Sequence, residues 1–267
     1  FFEKETRFLD ALWWSVVTLT TVGYGDISPA TVGGRVVGIA VMVSGIGFLG
    51  VLTAGIAGIF IERKFLENRG MKAVHVENHY VICGWGFNGR KIVEEIRAYP
   101  KTNRQPIVII ADIPEKPLDD PFLHFIQGEV TADALAKANI GKAKVAIVLS
   151  DERLDAYSRD AKTVLTTLII ESVNPDVYTC VELMDEKYVS YCKRARADEI
   201  VVVGELSTNL LVQAALNPGL TRMISELVSN RYGEDIYKVK VPAACAGLTF
   251  LEVLTRLKEQ HGILCMG

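Results

Sequence analysis

Two apolar stretches near the N-terminus differ in length from every apolar run downstream. Residues 8–20 have the length of a short helix and are too short to span a bilayer. Residues 36–61 contain no charged side chain and would extend for roughly 39 Å as a helix, which exceeds the roughly 30 Å hydrocarbon core of a membrane. The pattern therefore predicts a short helix followed by a helix that crosses the membrane.

From His79 onward, strand-like and helix-like runs alternate. Six strands are predicted, at residues 79–83, 106–111, 123–127, 145–149, 177–181 and 199–203. The helical runs between them include residues 89–98, 132–138, 156–172 and 186–195. Apolar strands that alternate with helices indicate a parallel, doubly wound α/β sheet of the Rossmann-like type.

Composition divides the chain into five segments. They are a membrane region at 1–61, a polar and charged linker at 62–78, the α/β lobe at 79–204, two helices within 205–235, and the start of a further lobe at 236–267. In the last segment we expect a strand at 237–241 and a helix at 249–260, and the lobe looks truncated.

Charge places the α/β lobe on one side of the membrane. Arg63, Lys64, Arg69 and Lys72 follow the predicted span, so the positive-inside rule puts everything downstream in the cytoplasm. The net charge of −3 gives no basic footprint for nucleic acid. The five cysteines form no CxxC pair, which is typical of reduced cytosolic thiols.

The loop between the two apolar runs carries the most specific motif of the chain. It reads Thr21-Val22-Gly23-Tyr24-Gly25, followed by Asp26. This segment resembles the selectivity filter of potassium channels. The resemblance implies that four chains form a homotetramer in the cell membrane, in contact with lipid. A dehydrated K⁺ would then be held by backbone carbonyls from Thr21, Val22, Gly23 and Tyr24, with Gly23 and Gly25 reaching unusual backbone angles without a Cβ penalty.

The same resemblance assigns roles to the flanking helices. Residues 8–20 become the pore helix and 36–61 the inner helix, and Trp13 and Trp14 are expected to support the filter from outside. An interfacial aromatic belt is the alternative for this pair. Channels of this class have an outer helix before the pore helix, so we expect the chain to be a fragment that lacks it.

Gly45 is the candidate for a gating hinge in the inner helix. It lies where such channels place this hinge, although Gly47 is close by. The alternative is that these glycines only allow close helix packing in lipid.

A second motif follows the first predicted strand. It is a GxGxxG pattern, Gly84-Trp85-Gly86-Phe87-Asn88-Gly89. The pattern opens a helix, and Asp112 ends the next strand at the distance expected of a residue that binds ribose hydroxyls. These residues predict a site for NAD or another adenine nucleotide, in which the acid at 112 disfavours a 2′-phosphate. The alternative is that the glycines only permit tight packing of strand against helix.

A membrane pore joined to this sheet resembles prokaryotic potassium channels with an RCK domain of the TrkA-N type. Residues 127–140, which include Gly128 and Glu129, match the pattern of that domain. The resemblance places Gly128 and Glu129 at the nucleotide site and implies that RCK domains pair into a gating ring. Residues 207–216 and 220–229 then resemble the crossover helices of the dimer, with two ordinary packed helices as the alternative.

Some members of this family bind calcium near the end of the fifth strand. Glu182 matches one such position, but Met184 stands where a second carboxylate is expected. A solvated acidic turn is the alternative that we favour.

Two other classes of protein share parts of the pattern. An NAD-dependent oxidoreductase would need a catalytic acid or base, and the four histidines form no recognisable catalytic pattern. Tyr157 is followed four residues later by Ala161 and not by lysine, so the Tyr-xxx-Lys pair of short-chain reductases is absent. The regulatory subunit of a potassium transporter would not carry its own filter. We therefore expect a ligand-gated potassium channel subunit of the inner membrane rather than an enzyme.

Overall fold

The computed structural model describes residues 7–231, 240–241, 245–262 and 265. The chain divides into two compact units, Phe1–Arg90 with Arg104–Glu205, and Lys91–Asn103 with Leu206–Gly267. The strand expected at 237–241 lies largely outside the described residues.

The first unit begins with two apolar helices, as expected. Helix α1 spans Phe8–Leu19 and helix α2 spans Val32–Asn68. The side chain of Thr31 begins α2, because its Oγ1 accepts a hydrogen bond from Gly34 N at 3.1 Å. Within the described part of the chain, α2 is the one helix that is long and apolar enough to cross a membrane.

Helix α2 extends seven residues into the predicted linker at 62–78, since it continues unbroken to Asn68. Glutamate, lysine and leucine are good helix formers, so the charged residues extend the helix past the apolar part instead of ending it. Only the part from Arg69 onward is irregular.

The irregular part of the linker is fixed to the edge of the sheet. Gly70 has a φ of +65°, and its carbonyl accepts a hydrogen bond from Gln127 N at 3.1 Å. A Cβ at Gly70 would lie 2.4 Å from that same nitrogen, so this close approach requires glycine. Val74 N donates to Lys137 O at 2.7 Å a few residues later. The segment that follows α2 is therefore held by backbone bonds to Gln127 and Lys137.

Six parallel strands form one sheet in the order β3-β2-β1-β4-β5-β6. They are β1 (His79–Cys83), β2 (Ile107–Ala111), β3 (Leu123–Gln127), β4 (Ala143–Val148), β5 (Tyr178–Leu183) and β6 (Glu199–Val202). The doubly wound sheet is confirmed, and each strand overlaps its predicted range. Every residue of β2 is buried, as expected of a strand that is covered on both faces.

Four helices connect the strands: α3 (Phe87–Ala98), α4 (Ala132–Lys137), α5 (Ala156–Val173) and α6 (Val189–Arg194). Asp155 caps α5, because its Oδ1 accepts hydrogen bonds from Tyr157 N and Ser158 N at 3.0 and 3.1 Å. The single helix predicted at 186–195 is wrong in its first turn, which is a 3₁₀ helix over Glu186–Tyr188.

The helices after the sheet are α7 (Val203–Leu216), α8 (Leu220–Val228) and α9 (Phe250–His261). Helix α7 follows β6 directly, four residues earlier than predicted, and Gly219 begins α8 with a φ of +97°. Within the second unit, Asn230 N donates to the carboxylate of Glu95 at 2.8 Å. A capping box of Thr249 and Glu252 begins α9.

Candidate functional sites

The loop after α1 is held by the end of that helix. The backbone amides of Val22 and Gly23 both donate to the carbonyl of Val17, at 3.0 and 3.3 Å. Val17 itself is buried, which makes it a firm anchor. Because these two amides point toward α1, the carbonyls of the loop can point away from that helix.

The backbone of this loop alternates in hand. Thr21, Gly23 and Gly25 have φ values of 60°, 60° and 75°, whereas Val22 and Tyr24 between them do not have positive φ. Alternation of this kind turns successive carbonyls toward one side of the chain, which is what a row of ion sites requires. Glycine at 23 and 25 was expected from the sequence, but the positive φ of Thr21 was not, because a β-branched residue rarely adopts it.

Trp13 supports the loop from the side. Its Nε1 donates to Asp26 Oδ2 at 2.9 Å, and its ring stacks on Tyr24 with centroids 6.0 Å apart. The ring of Trp14 instead packs beside Gly38 of α2, where an added Cβ would lie 3.3 Å from it. The expected support by both tryptophans is therefore seen in this chain for Trp13 only.

Gly45 lies against the C-terminal end of α1. A Cβ added there would be 3.0 Å from Leu19 Cγ and 3.1 Å from Leu19 Cα, whereas a Cβ at Gly47 would meet nothing within 4 Å. The helix passes through both positions without interruption. The close contact between Gly45 and Leu19 fits the alternative that these glycines allow close helix packing. The role of Gly45 as a hinge stays a prediction.

The second candidate site is a cleft at the carboxyl ends of the central strands. Ligands of open α/β sheets bind at this edge, where the strand order reverses between β1 and β4. Four of the predicted nucleotide-binding residues line the cleft: Gly84, Asp112, Gly128 and Glu129. The structure therefore brings together residues that are up to 45 positions apart in the sequence.

Apart from Gly84 and Trp85, the residues of the GxGxxG segment lie outside the lining of the cleft. Gly89 packs under Trp85, whose ring is 2.7 Å from an added Cβ, and Asn88 Nδ2 donates to Glu182 Oε1 at 3.3 Å. Phe87 is exposed, and Gly86 faces the carboxylate of Glu152. Gly84 has a φ of +95° and lies so close to Leu149 O that an added Cβ would be 3.2 Å away.

A chain of ion pairs crosses the cleft. Lys162 Nζ lies 2.7 Å from Glu129 and 3.0 Å from Asp151. Arg153 Nε lies 2.9 Å from Asp151, while its Nη1 donates to Asp112 O at 3.1 Å and lies 3.7 Å from the Asp112 carboxylate. Sequence reasoning missed Asp151, Arg153 and Lys162. Their signal was positional, since residues after β4 must meet those after β2 and β3 at the same sheet edge.

The charges in this chain stabilise one another. The hydrogen bond from Arg153 outweighs partial burial and, together with Lys162, holds the pKa of Asp151 well below its usual range. Partial burial opposes the charge on Lys162, but its bonds to Glu129 and Asp151 raise the pKa of the amine above its ordinary value. Both groups are therefore charged at neutral pH.

The predicted calcium position has other partners. Glu182 Oε2 accepts a hydrogen bond from Ser150 N at 2.9 Å, and its Oε1 is bonded to Asn88. Buried Asp160 accepts bonds from the backbone nitrogens of Met184 and Asp185 at 3.1 and 2.9 Å. Across the described ranges, no three His, Cys, Asp or Glu side chains are arranged to hold a metal ion.

Comparison with known proteins gives a family for each of the two parts of the chain. Residues 1–62 match the ion channel family, and residues 80–203 match the TrkA-N domain family. The calcium-gated potassium channel TvoK of Thermoplasma volcanium is 34% identical over 97% of this chain and 74% of its own length. Potassium channel protein 1 of Methanocaldococcus jannaschii is 35% identical over 83% of this chain and 66% of its own length. A putative potassium channel, YugO of Bacillus subtilis, is 29% identical over 79% and 64%.

The chain belongs to the prokaryotic potassium channels that combine an ion channel region with a TrkA-N domain. It spans about two thirds to three quarters of the length of these curated relatives. The relatives are channels, which are membrane proteins and not enzymes.

Solved structures share the fold. The GsuK channel bound to NAD has a TM-score of 0.50 and 19% identity, covering 73% of this chain and 35% of its own. The human SLO3 gating ring has a TM-score of 0.52 and 16% identity, covering 68% and 37%.

Proposed function

We propose that four copies of this chain form a potassium-selective channel of the cell membrane that is gated by an adenine nucleotide, such as NAD or ADP, in the cleft. The observation that carries the gating part is that Asp112 and Gly84, from two different strand ends, meet in one cleft. The alternating backbone of Thr21, Gly23 and Gly25 supports the pore part.

In the pore, the carbonyls of Thr21, Val22, Gly23 and Tyr24 would replace the water around K⁺ once four loops surround one axis. The bonds from Val22 and Gly23 to Val17 hold the loop in place, and Trp13 fixes Asp26 at its outer end. Helix α2 would line the inner part of the pore, with the sheet on the cytoplasmic side of the inner membrane.

The residues of the cleft fit a nucleotide. Gly84 makes the tight turn after β1, and the Asp112 carboxylate follows β2, where it would accept the ribose hydroxyls. Gly128 has a φ of +126° and open space above it, so the backbone there can approach a ligand closely. The solved GsuK structure with the same fold is described as bound to NAD, which makes NAD the first ligand to test.

The cleft is close to the anchor of the membrane helix. Gln127, whose amide binds the carbonyl of Gly70, directly precedes Gly128 at the rim of the cleft. Gly128 N in turn donates to Ala111 O at 3.0 Å, next to Asp112. A ligand that shifts residues 127–129 would therefore act on the linker that follows α2. Pairing through α7 and α8 into a gating ring would combine the effects of the four subunits.

Calcium is the second candidate ligand, because the relative TvoK is named calcium-gated. In this chain, the bonds of Glu182 to Ser150 and Asn88, and the methionine at 184, disfavour a site at the end of β5.

The test is an ion-flux assay on the complete channel reconstituted in liposomes. Rubidium uptake is measured with NAD⁺, ADP or Ca²⁺ added separately, and binding of each ligand is measured by calorimetry on the same protein. We expect selective flux whose rate depends on nucleotide concentration. A flux that responds to calcium alone, with no nucleotide binding, would replace the proposed ligand.

A further inference from the structure

Glu152 lies where an anion is expected to bind. It belongs to the segment between β4 and α5, and its Oε2 accepts a hydrogen bond from Phe87 N, at the first residue of α3, with a distance of 3.3 Å. The three nearest atoms to a Cβ added at Gly86 are all of the Glu152 carboxyl group, at 3.4 to 3.6 Å. The carboxylate therefore rests on the glycine loop itself.

This position has a defined chemistry. The first amides of a helix have no partner within the helix and carry the positive end of its dipole. In dinucleotide-binding folds the pyrophosphate lies at this helix end, above the second glycine of the motif. In this chain Gly86 is the second glycine, and Glu152 supplies the negative group there.

We propose that Glu152 is a tethered competitor of the ligand's phosphate, an inference that rests on the proposed nucleotide site. The carboxylate satisfies the helix end when no ligand is bound and must move aside before phosphate can take its place. It thereby lowers the affinity for phosphate-bearing nucleotides and leaves the contacts of adenine and ribose unchanged.

The rest of the segment is arranged so that only this side chain needs to move. Arg159 Nη2 donates to the carbonyls of Glu152 and Leu154 at 3.3 and 3.2 Å. Arg153, the residue after Glu152, donates from its Nε to Asp151 Oδ1 at 2.9 Å. The backbone is therefore held while the Glu152 side chain is exposed. The hydrogen bond from Phe87 N to Glu152 Oε2 is long at 3.3 Å, so displacement by a phosphate that binds the same helix end is feasible.

The experiment compares three ligands on the complete channel in detergent: ADP, NAD⁺ and adenosine, which lacks phosphate. The variants are Glu152→Gln, which removes the charge and keeps the shape, and Glu152→Ala, which also removes the hydrogen bond. Glu77→Gln is the matched control, because exposed Glu77 lies just before β1, at the end of the strand opposite to the glycine loop.

We expect both Glu152 variants to bind ADP and NAD⁺ about threefold to tenfold more tightly than the wild type at low salt. Adenosine binding and the Glu77→Gln control should match the wild type. The gain should shrink as salt is raised, because an exposed charge is screened.

Equal ADP affinity in wild type and both Glu152 variants would overturn the inference while leaving the nucleotide site intact. An equal gain for ADP and adenosine would also overturn it, since the effect would not concern phosphate. If neither the wild type nor the variants bind any of the three ligands, the proposed function itself fails and the inference fails with it.

Discussion

The loop at residues 21–25, proposed as the filter, and the cleft would use different parts of the chain to bind their proposed ligands. The proposed filter is five consecutive residues, two of which donate backbone hydrogen bonds to the carbonyl of Val17, and no charged side chain is among them. The cleft depends on side chains from several strand ends, with Asp112 and Lys162 fifty positions apart and connected through Arg153 and Asp151. A site built from consecutive backbone groups can therefore be identified from a sequence motif. A site built from charged side chains of distant segments can be identified only once the fold is known.

The largest effect is expected from adding a single methyl group to the proposed filter, by the substitution Gly23→Ala. Gly23 has a φ of +60°, so alanine there forces a strained backbone in all four subunits. We expect Gly23→Ala to abolish selective potassium current, measured as the rubidium-to-sodium flux ratio in liposomes. Gly47→Ala is the control, because a Cβ at Gly47 meets no atom within 4 Å of its own chain. A Gly23→Ala channel that remains selective would refute a filter built on backbone geometry.

The second test addresses the cleft. Asp112→Ala should weaken NAD⁺ binding by roughly 10- to 150-fold, because hydrogen bonds to a charged acceptor contribute about 1.5–3 kcal/mol. Calorimetry measures this, with exposed Asp119→Ala as the control for loss of one negative charge. Selectivity of the pore should not change. Unaltered NAD⁺ affinity in Asp112→Ala would leave the glycines as packing residues only.

Arg153 modifies the expected ligand preference. The sequence predicts that an acid at 112 disfavours a 2′-phosphate, but the guanidinium of Arg153 is 3.7 Å from the Asp112 carboxylate. An arginine at this position can accommodate a 2′-phosphate. The preference for the unphosphorylated dinucleotide should therefore be smaller than Asp112 alone would give.

Much of this structure could be predicted, and the failures have physical causes. The six strands were identified because each is a short apolar run, and the filter because its motif is specific. The extension of α2 to Asn68 was missed because polar residues were taken to end a helix, although they are good helix formers. Arg153 and Lys162 were missed because ion pairs between distant segments leave no local pattern.

The third test concerns how α2 affects the filter. Gly45→Ala should both stiffen the helix, by roughly 0.5–1 kcal/mol per subunit, and push on Leu19 at the end of the pore helix. Gly47→Ala should only stiffen it. We expect single-channel recordings to show altered open probability for both variants, with altered conductance for Gly45→Ala alone. Identical behaviour of the two variants would favour a hinge role over packing against Leu19.

The smallest effect is expected from the charges of the cleft. Asp151→Asn removes the carboxylate that joins Arg153 and Lys162, and should lower the free energy of unfolding by about 1 kcal/mol at pH 7, since the network is partly exposed. The folded-state pKa of Asp151 is depressed, so its contribution is complete above the unfolded pKa of roughly 4 and is lost progressively as the pH falls from there through the folded-state pKa. Urea denaturation of the wild type and the variant should therefore give stabilities that differ at pH 7 and converge in acid. Because the filter binds its ion through backbone groups, the flux ratio of Asp151→Asn should equal that of the wild type. A difference in stability that remains after the pH has fallen through the depressed folded-state pKa would show that Asp151 acts by shape and not by charge.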